Sequence, residues 1–152
     1  MGKTTRFIIN TMKVQSFIVC DDIRVEVGNK HTLVGVYDEQ INFRVTPDKK
    51  DTWPKFLKLG FFAKIIIEDD NAKFFNFNFE LGQEKKSFLQ AAQLPKLNRV
   101  PDMMTIIYVI NSFELSKAGT MRFSFDFLDE KKEILQTISP DTNLIIKEVA
   151  VQ

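Results

Sequence analysis

The chain has 152 residues, of which 44% are hydrophobic and 27% charged, and its formal net charge is +1. These values are typical of one globular domain and exclude a disordered or collagen-like chain. A charge so close to zero provides no long-range field that would attract polyanions, so the composition favours neither nucleic acid nor an anionic membrane as a partner. Fifteen phenylalanines against one tryptophan and two tyrosines indicate a dry core.

Cysteine usage and the lengths of the apolar runs predict a cytoplasmic protein. A single cysteine, Cys20, cannot form an internal disulfide, which is typical of a reducing compartment. The longest apolar runs, such as GFFAKIII, are far shorter than the roughly 20 residues of a membrane-spanning helix. The stretch MKVQSFIVC, which begins at Met12, is interpreted as the start of the folded domain. Residues 1–11 are therefore interpreted as an N-terminal extension, an alternative start or a short edge segment, and residues 12–152 as a single domain.

The first part of the chain alternates with a period of two. KVQSFIVC is apolar on both faces and predicts a central strand, whereas IRVEV alternates apolar residues with Arg24 and Glu26. Gly28 and Asn29 tolerate the positive φ of a tight turn, so HTLVGVY is predicted to return as the second strand of a hairpin. INFRV predicts one more strand, which ends before Pro47 and the polar loop DKKD.

The middle of the chain is rich in phenylalanine. FLKLGFFAKIII predicts a long strand that is bent or bulged at Gly60. FFNFNFEL alternates most clearly, with one face formed by Phe75, Phe77, Phe79 and Leu81 and the other by Phe74, Asn76, Asn78 and Glu80. Residues 83–103 break this pattern. Within them, KSFLQAAQL predicts either a short helix that ends at Pro95 or a strand beside a long loop.

The last part of the chain returns to short β-rich segments. TIIYVINSFEL, MRFSFDFL, EILQTI and NLIIKEVAV are separated by polar turns and by Pro140. About eight to ten short strands with at most one short helix predict an all-β fold, an antiparallel β-sandwich of immunoglobulin-like or related type.

A cysteine nucleophile with a histidine base would have to use Cys20 and His31, the only residues of their types. Cys20 ends an apolar strand, where a free cysteine is usually a small buried hydrophobe. Its neighbours Asp21 and Asp22 would raise the pKa of the thiol rather than lower it. An inert core cysteine is therefore the main interpretation, and a Cys/His hydrolase is kept as an alternative.

Acidic turns offer a second alternative, a calcium- or ligand-binding sandwich. Asp21, Asp22, Asp69 and Asp70 lie at predicted strand ends or turns, and calcium is held by carboxylate and carbonyl oxygens that loops bring together. Aspartate also favours turns for its own conformational reasons, so solvated turn residues explain the same pattern. One cysteine and one histidine leave a zinc shell incomplete. No cofactor is predicted.

Aromatic and basic residues give the best candidates for a partner-binding surface. Four lysines surround Trp53 in KKDTWPKFLK, and Lys55 is the nearest of them along the chain. A phosphate or nucleic-acid contact and a solvated loop that folds over one end of the sandwich both fit this cluster. Phe62 and Phe74 fall on the nominally polar faces of their strands, which indicates either covered sheet faces or a protein interface.

Two stretches resemble a known family. CDDIRVEVGNKHTLVGVY and LSKAGTMRFSFDFLDE resemble a group of uncharacterised bacterial proteins with a Cys-acidic-Asp-Ile-Arg start, a Glu and a Lys around a turn, and then Leu-x-Gly-Val-Tyr. The family's second landmark, Gly-x-x-x-Phe-x-Phe, corresponds to Gly119, Phe123 and Phe125. The resemblance leaves the middle of the chain unmatched. It implies a small cytoplasmic β-sandwich of unknown function and brings no catalytic residues.

Taken together, the residues favour a non-enzymatic β-sandwich that binds another protein or associates with itself, as an accessory or regulatory protein. The sequence contains neither a cofactor motif nor a recognisable pair of polar catalysts. Trp53, Lys55, Phe62 and Phe74 are the predicted partner-binding residues. Because sandwich folds support many unrelated functions, the fold class alone does not choose among these alternatives.

Overall fold

Ten strands form two sheets that pack face to face. The structure, a computed structural model, describes residues 12–97 and 100–151. The strands are β1 (Lys13–Glu26), β2 (Lys30–Tyr37), β3 (Gln40–Val45), β4 (Lys55–Ile67), β5 (Phe74–Leu81), β6 (Glu84–Gln93), β7 (Asp102–Leu115), β8 (Gly119–Leu128), β9 (Ile134–Ile138) and β10 (Leu144–Ala150). The predicted all-β sandwich is confirmed, and its one helical element in the described residues is a 3₁₀ turn, Pro47–Lys49. The predicted extension, residues 1–11, lies outside the described residues.

The strand order differs between the two sheets. The four-stranded sheet runs β2-β1-β4-β7, and the six-stranded sheet runs β3-β10-β8-β5-β6 with β9 added to β8. Every strand pair is antiparallel except β3 with β10, which is parallel. β9 and β10 share one edge of β8, because β10 pairs with Gly119–Met121 and β9 with Phe125–Leu128. In the described residues, no helix is long and apolar enough to cross a membrane.

The core lies between the sheets and is built mainly from phenylalanine. The predicted alternation of β5 and β8 is confirmed, since Phe77, Phe125 and Phe127 are fully buried. The rings of Phe77 and Phe125 stack with their centroids 4.7 Å apart. Burial of each such side chain contributes roughly 1.5–3 kcal/mol to folding, so this layer is a main source of stability.

Residues 84–93 form strand β6 rather than a helix. The pairing register with β5 shifts twice, and Ala91 adopts a positive φ of 47° at the first shift. The second shift turns Phe88 into the core, where its ring centroid lies 4.5 Å from that of Phe79 and 4.7 Å from that of Phe61. These two bulges remove the period of two from the sequence, which is why KSFLQAAQL predicts a helix and a strand equally well.

The bulge next to β4 lies in its neighbour β7. Between Leu57 and Leu59 the pairing advances two residues in β4 but three in β7, from Ile110 to Phe113, so the predicted bulge at Gly60 is wrong. Gly60 instead provides space on the outer side of the sheet. A Cβ added there would lie 3.1 Å from both Cys20 Sγ and Ile23 Cγ1, because the end of β1 packs closely over this residue.

Candidate functional site

The two acidic pairs lie far apart along the four-stranded sheet. Asp21 and Asp22 lie within β1 rather than at the predicted strand end, next to Cys20, which pairs with Gly60 of β4, whereas Asp69 and Asp70 follow the end of β4 at Ile67. Seven residues of strand separate Gly60 from Ile67, or about 23 Å. In the ranges 12–97 and 100–151, no group of three or more histidine, cysteine, aspartate or glutamate residues could hold a metal ion. The four aspartates therefore do not form one calcium site.

Cys20 and His31 also lie apart. Cys20 is paired with Val36 and His31 with Val25, so five residues, or about 17 Å of strand, separate them. Cys20 is fully buried, and its thiol donates to the carbonyl oxygens of Asp22 at 3.4 Å and Gly60 at 3.6 Å. Burial raises the pKa of the Cys20 thiol, and the charges of Asp21 and Asp22 raise it further. The geometry gives Cys20 no base.

Asp21 has a structural role in the hairpin. It lies opposite Gly35, whose φ is +66°, and a Cβ at Gly35 would be only 2.2 Å from Asp21 Oδ2. The Tyr37 hydroxyl donates to Asp21 Oδ1. Burial raises the pKa of Tyr37, and the nearby carboxylate raises it further, so this hydroxyl remains a donor. Gly35 therefore allows a close approach, by a side chain rather than by a neighbouring backbone.

Asp22 is engaged in the sheet as well. Lys58 Nζ lies 3.0 Å from Asp22 Oδ1 and joins the end of β1 to β4. The hydrogen bond from Lys58 is the main reason that the pKa of Asp22 is lowered. The acidic pair of the hairpin thus serves the packing of β1, β2 and β4.

Trp53 and Lys55 come together at the junction of the two sheets. Lys55 Nζ lies 5.0 Å from the ring centroid of Trp53, and Phe43 of β3 meets the same indole edge-on at 6.0 Å. The ammonium also lies 3.7 Å from Glu148 Oε1 of β10. Both charged side chains are mostly buried, with exposures of 14% and 10%. This cluster ties β3, β4 and β10 together, so Lys55 is not a free surface cation.

Phe62 and Phe74 lie on opposite sides of the molecule. Phe62 belongs to β4 and faces away from the core of the four-stranded sheet, while Phe74 belongs to β5 and faces away from the core of the six-stranded sheet. Lys132 Nζ lies 5.5 Å from the ring centroid of Phe74. The predicted partner-binding residues therefore occupy three separate parts of the surface.

The outer side of the four-stranded sheet is unusually apolar, and we call it the apolar face. Cross-strand pairing puts its side chains in rows, and six hydrophobic residues make up most of them: Ile18, Val36, Phe62, Ile66, Met103 and Ile107. Three of these side chains remain substantially exposed, Val36 at 50%, Met103 at 43% and Ile107 at 37%. A sheet face that is open to water normally carries polar residues at these positions. Val36 lies on the edge strand β2 and Met103 and Ile107 lie on the edge strand β7, with the half-buried Ile18 and Phe62 between them. Exposed hydrophobic patches of this kind mark interaction sites.

The apolar face also contains polar residues. Lys64 lies in the row between Ser16 and Thr105, and Lys13 pairs with Ile66. The Nζ of Lys64 is 5.9 Å from the ring centroid of Phe62, and His31 approaches the same ring from the hairpin, with the centroids 5.8 Å apart. Phe62 is therefore partly covered by two polar groups.

The outer side of the six-stranded sheet has the opposite character. Asp126 is 6% exposed and Asn78 is 2% exposed, and both belong to a connected set of polar side chains. We call this set the Asp126 network: Asn76, Asn78, Ser87, Ser124, Asp126 and Thr137. Asp126 Oδ2 accepts from Asn76 and Asn78, and Oδ1 accepts from Thr137 at 2.8 Å. In the described part of the chain, every buried side-chain nitrogen or oxygen has a partner.

The chemistry of the Asp126 network is that of a structural element. Burial alone would raise the pKa of Asp126, but the hydrogen bonds from Asn76, Asn78 and Thr137 outweigh it and hold that pKa below its ordinary value. The Ala91 amide of the bulged β6 strand donates to Asn76 Oδ1 at 2.8 Å, and Ser87 donates to Asn78 Oδ1 at 2.6 Å. The asparagines thus satisfy the groups that the bulges free.

Sequence reasoning found only one member of the apolar face, Phe62. The signal for the rest lies in KVQSFIVC, GFFAKIII and MMTIIYVI, which are apolar at both odd and even positions. Such runs are expected of strands that are covered on both sides. The strands that contain these runs, β1, β4 and β7, are neighbours in the sheet, so their outward-facing residues lie on the same face.

Comparison with known proteins adds no further constraint. Neither the protein-family models nor the curated protein sequences contain a match to this chain.

Proposed function

We propose that this protein is a binding module that docks another protein on the apolar face, as an accessory or regulatory subunit. The observation that carries the proposal is the contrast between the two outer sheet faces. One presents hydrophobic side chains in two cross-strand rows on either side of the Lys64 row, and the other presents a polar set in which each buried group is hydrogen-bonded. A free sandwich has no reason for such asymmetry, whereas a docking surface does.

The residues of the face define the chemistry of the partner. Val36, Met103 and Ile107 are the side chains from which binding would remove most water. Lys13 and Lys64 are charged groups within the rows, so the partner surface is apolar with carboxylates opposite these ammonium groups. Only Phe62 among the residues predicted from the sequence belongs to this surface.

The proposal also includes a cellular compartment and a protein family. The single buried cysteine supports a reducing cytoplasmic location. Membership of the bacterial β-sandwich family, inferred from the resemblance of residues 20–37 and 115–130, is also part of the proposal.

A matched pair of substitutions tests the function. Val36→Glu adds a charge to the apolar face at a residue that is 50% exposed, and Ile145→Glu adds the same charge to the outer side of β10 at a residue that is 45% exposed. The tagged parent protein is used to capture a partner from cells, and the captured protein is then purified and titrated against each variant. We expect Val36→Glu to raise the Kd at least tenfold, which is about 1.4 kcal/mol, and Ile145→Glu to leave it within twofold.

Circular dichroism and thermal melting establish that both variants fold before the titration. Equal weakening by both variants, or weakening by Ile145→Glu alone, would show that the partner docks elsewhere and would overturn the proposal. Failure of the parent protein to retain any partner that binds it directly after purification would do the same.

A further inference from the structure

Within residues 12–97 and 100–151, five strands have an unpaired edge: β2, β7, β3, β6 and the five-residue β9. Proteins protect such edges with charges, bulges or short strands, because unpaired backbone groups there invite another strand. β6 carries two register shifts together with Lys85 and Lys86. β2 carries Lys30 and the positive-φ Gly35, and β3 is six residues long with Arg44 near its end.

β7 lacks these forms of protection from Met103 to Ile110, and its one bulge, an extra residue between Ile110 and Phe113, lies near the end of the strand. From Met103 to Phe113 the strand contains no charged side chain and no proline. Its register with β4 is uninterrupted from Asp102 to Ile110, so this part of the strand has no bulge. Within the described residues, no strand pairs with its outer edge. A long, uncharged and regular edge is the kind that accepts a further strand.

We propose that β7 pairs antiparallel with β7 of a second copy of this chain, which joins the two four-stranded sheets into one sheet of eight strands. A two-fold axis at Ile107 gives a self-complementary register. Ile107 then faces its own copy, Thr105 faces Val109, and Met104 faces Ile110. An axis at Ile106 would set Asp102 against the apolar Ile110. A charge opposite a hydrophobic side chain destabilises such a pair.

The same register closes the sides of both cores. Ile106 and Tyr108 point inward from β7, where they pair with Ala63 and Phe61 of β4. In the two-fold arrangement Ile106 of one copy lies opposite Tyr108 of the other, so each copy covers the other's open edge. Ile107 and Val109 of both copies also meet on the outer side, and the two apolar faces become continuous. The dimer rests on the edge of β7 and does not depend on the proposed docking function.

The test measures the mass of the purified full chain by sedimentation velocity at about 100 μM, a concentration that populates even a weak dimer. We expect twice the chain mass of 17.6 kDa for the parent protein. Ile107→Lys puts two ammonium groups opposite each other at the axis and is expected to sediment as a monomer. Val36→Lys makes the same change at the opposite edge of the same sheet and is expected to remain a dimer.

Mixing variants tests the register directly. Ile107→Lys and Ile107→Asp should each be monomeric alone, and a mixture of the two should regain the dimer mass, because opposite charges then meet at the axis. If Ile107→Lys fails to fold by circular dichroism, Thr105→Glu replaces it, since Thr105 is exposed and pairs with Lys64 in its own copy. A monomeric parent protein, a dimer that survives the β7 substitutions, or a mixture that stays monomeric would each overturn the proposal.

Discussion

Asn78 donates from Nδ2 to Asp126 Oδ2 at 2.8 Å between adjacent strands, and both side chains are almost completely buried on the outer side of the six-stranded sheet. The carboxylate is held by three neutral side chains rather than by an ion pair, because Asn76 and Thr137 complete its set of donors. Hydrogen bonds to a charged acceptor are stronger than those between neutral groups. The Asp126 carboxylate of β8 therefore holds β5 and β9 as well, through Asn76 and Asn78 of β5 and Thr137 of β9.

Removal of the carboxylate should be costly. Asp126→Ala leaves the amide groups of Asn76 and Asn78 without their acceptor, and an unsatisfied buried donor costs about 1–3 kcal/mol. We expect a loss of about 2–4 kcal/mol in the free energy of unfolding, measured by urea denaturation. Ser124→Ala, which removes only the 3.4 Å contact with Asn78, is the matched control and should cost less than about 1 kcal/mol. Equal losses for the two variants would contradict the central role of Asp126.

The same residue predicts how stability depends on pH. Its pKa is lowered in the folded state from the ordinary value of 3.8, so the folded protein binds this proton less readily than the unfolded chain. The contribution is present above that ordinary value and is lost as the pH falls through the lower folded pKa. We expect the parent protein to lose more stability than Asp126→Asn when the pH falls from about 5 to below 3. Parallel curves for the two proteins would contradict this assignment.

The contact between Asp21 and Gly35 predicts a non-additive pair of substitutions. Gly35→Ala introduces both a strained positive φ and a clash with Asp21 Oδ2, so a loss of about 2–4 kcal/mol is expected. In an Asp21→Ser background the clash is relieved and only the backbone strain of about 1–2 kcal/mol remains. A double-mutant cycle from chemical denaturation measures the difference. Additive losses would show that the carboxylate can move away freely.

Burial and a raised pKa predict that Cys20 is unreactive in the folded protein. Iodoacetamide should label the native chain far more slowly than the unfolded chain, because the thiolate is disfavoured and the sulfur is inaccessible. Mass spectrometry follows the reaction over time with and without urea. Labelling of native Cys20 at the unfolded rate would reopen the hydrolase alternative.

Glu148 predicts a measurable effect on the environment of Trp53. Its two oxygens accept from the Asp51 amide at 3.0 and 3.1 Å, and Asp51 adopts a positive φ of 61°. We expect Glu148→Ala to cost about 1–2 kcal/mol and to change the tryptophan emission, whereas Glu148→Gln keeps one acceptor and should cost about half as much. Urea unfolding followed by fluorescence measures both effects. An unchanged midpoint for Glu148→Ala would show that the loop is held by other contacts.

Much of the fold follows from local pattern. The alternation of IRVEV and HTLVGVY around Gly28 and Asn29 predicted the hairpin, and both turn residues have the positive φ that such a turn requires. The faces of β5 and β8 were also predictable, because each is a regular strand with a period of two. These features need only nearest neighbours in sequence, and a single chain contains that information.

Long-range features were beyond sequence reasoning. The alternation of β5 identified its polar side but not the burial of Asn78, which depends on β6: the Ala91 amide donates to Asn76 and the Ser87 hydroxyl donates to Asn78. Phe88 reaches the core because a bulge shifts the pairing register of β6 by one residue. The alternation of hydrophobic residues along the sequence does not show where such a bulge lies. The apolar face was missed for a related reason. Its members come from separate strands whose order is set by the packing of the whole sandwich.

The position of β10 limits the order in which this protein can fold. It lies between β3 and β8, and its residues pair with partners about a hundred positions earlier along the chain, such as Ile146 with Ile41. β3 has no other strand neighbour among the described residues. Closure of so large a loop is entropically costly and is expected to slow folding. The six-stranded sheet can therefore be completed only after its most distant segments have met, and the hairpin of β1 and β2 can form well before that step.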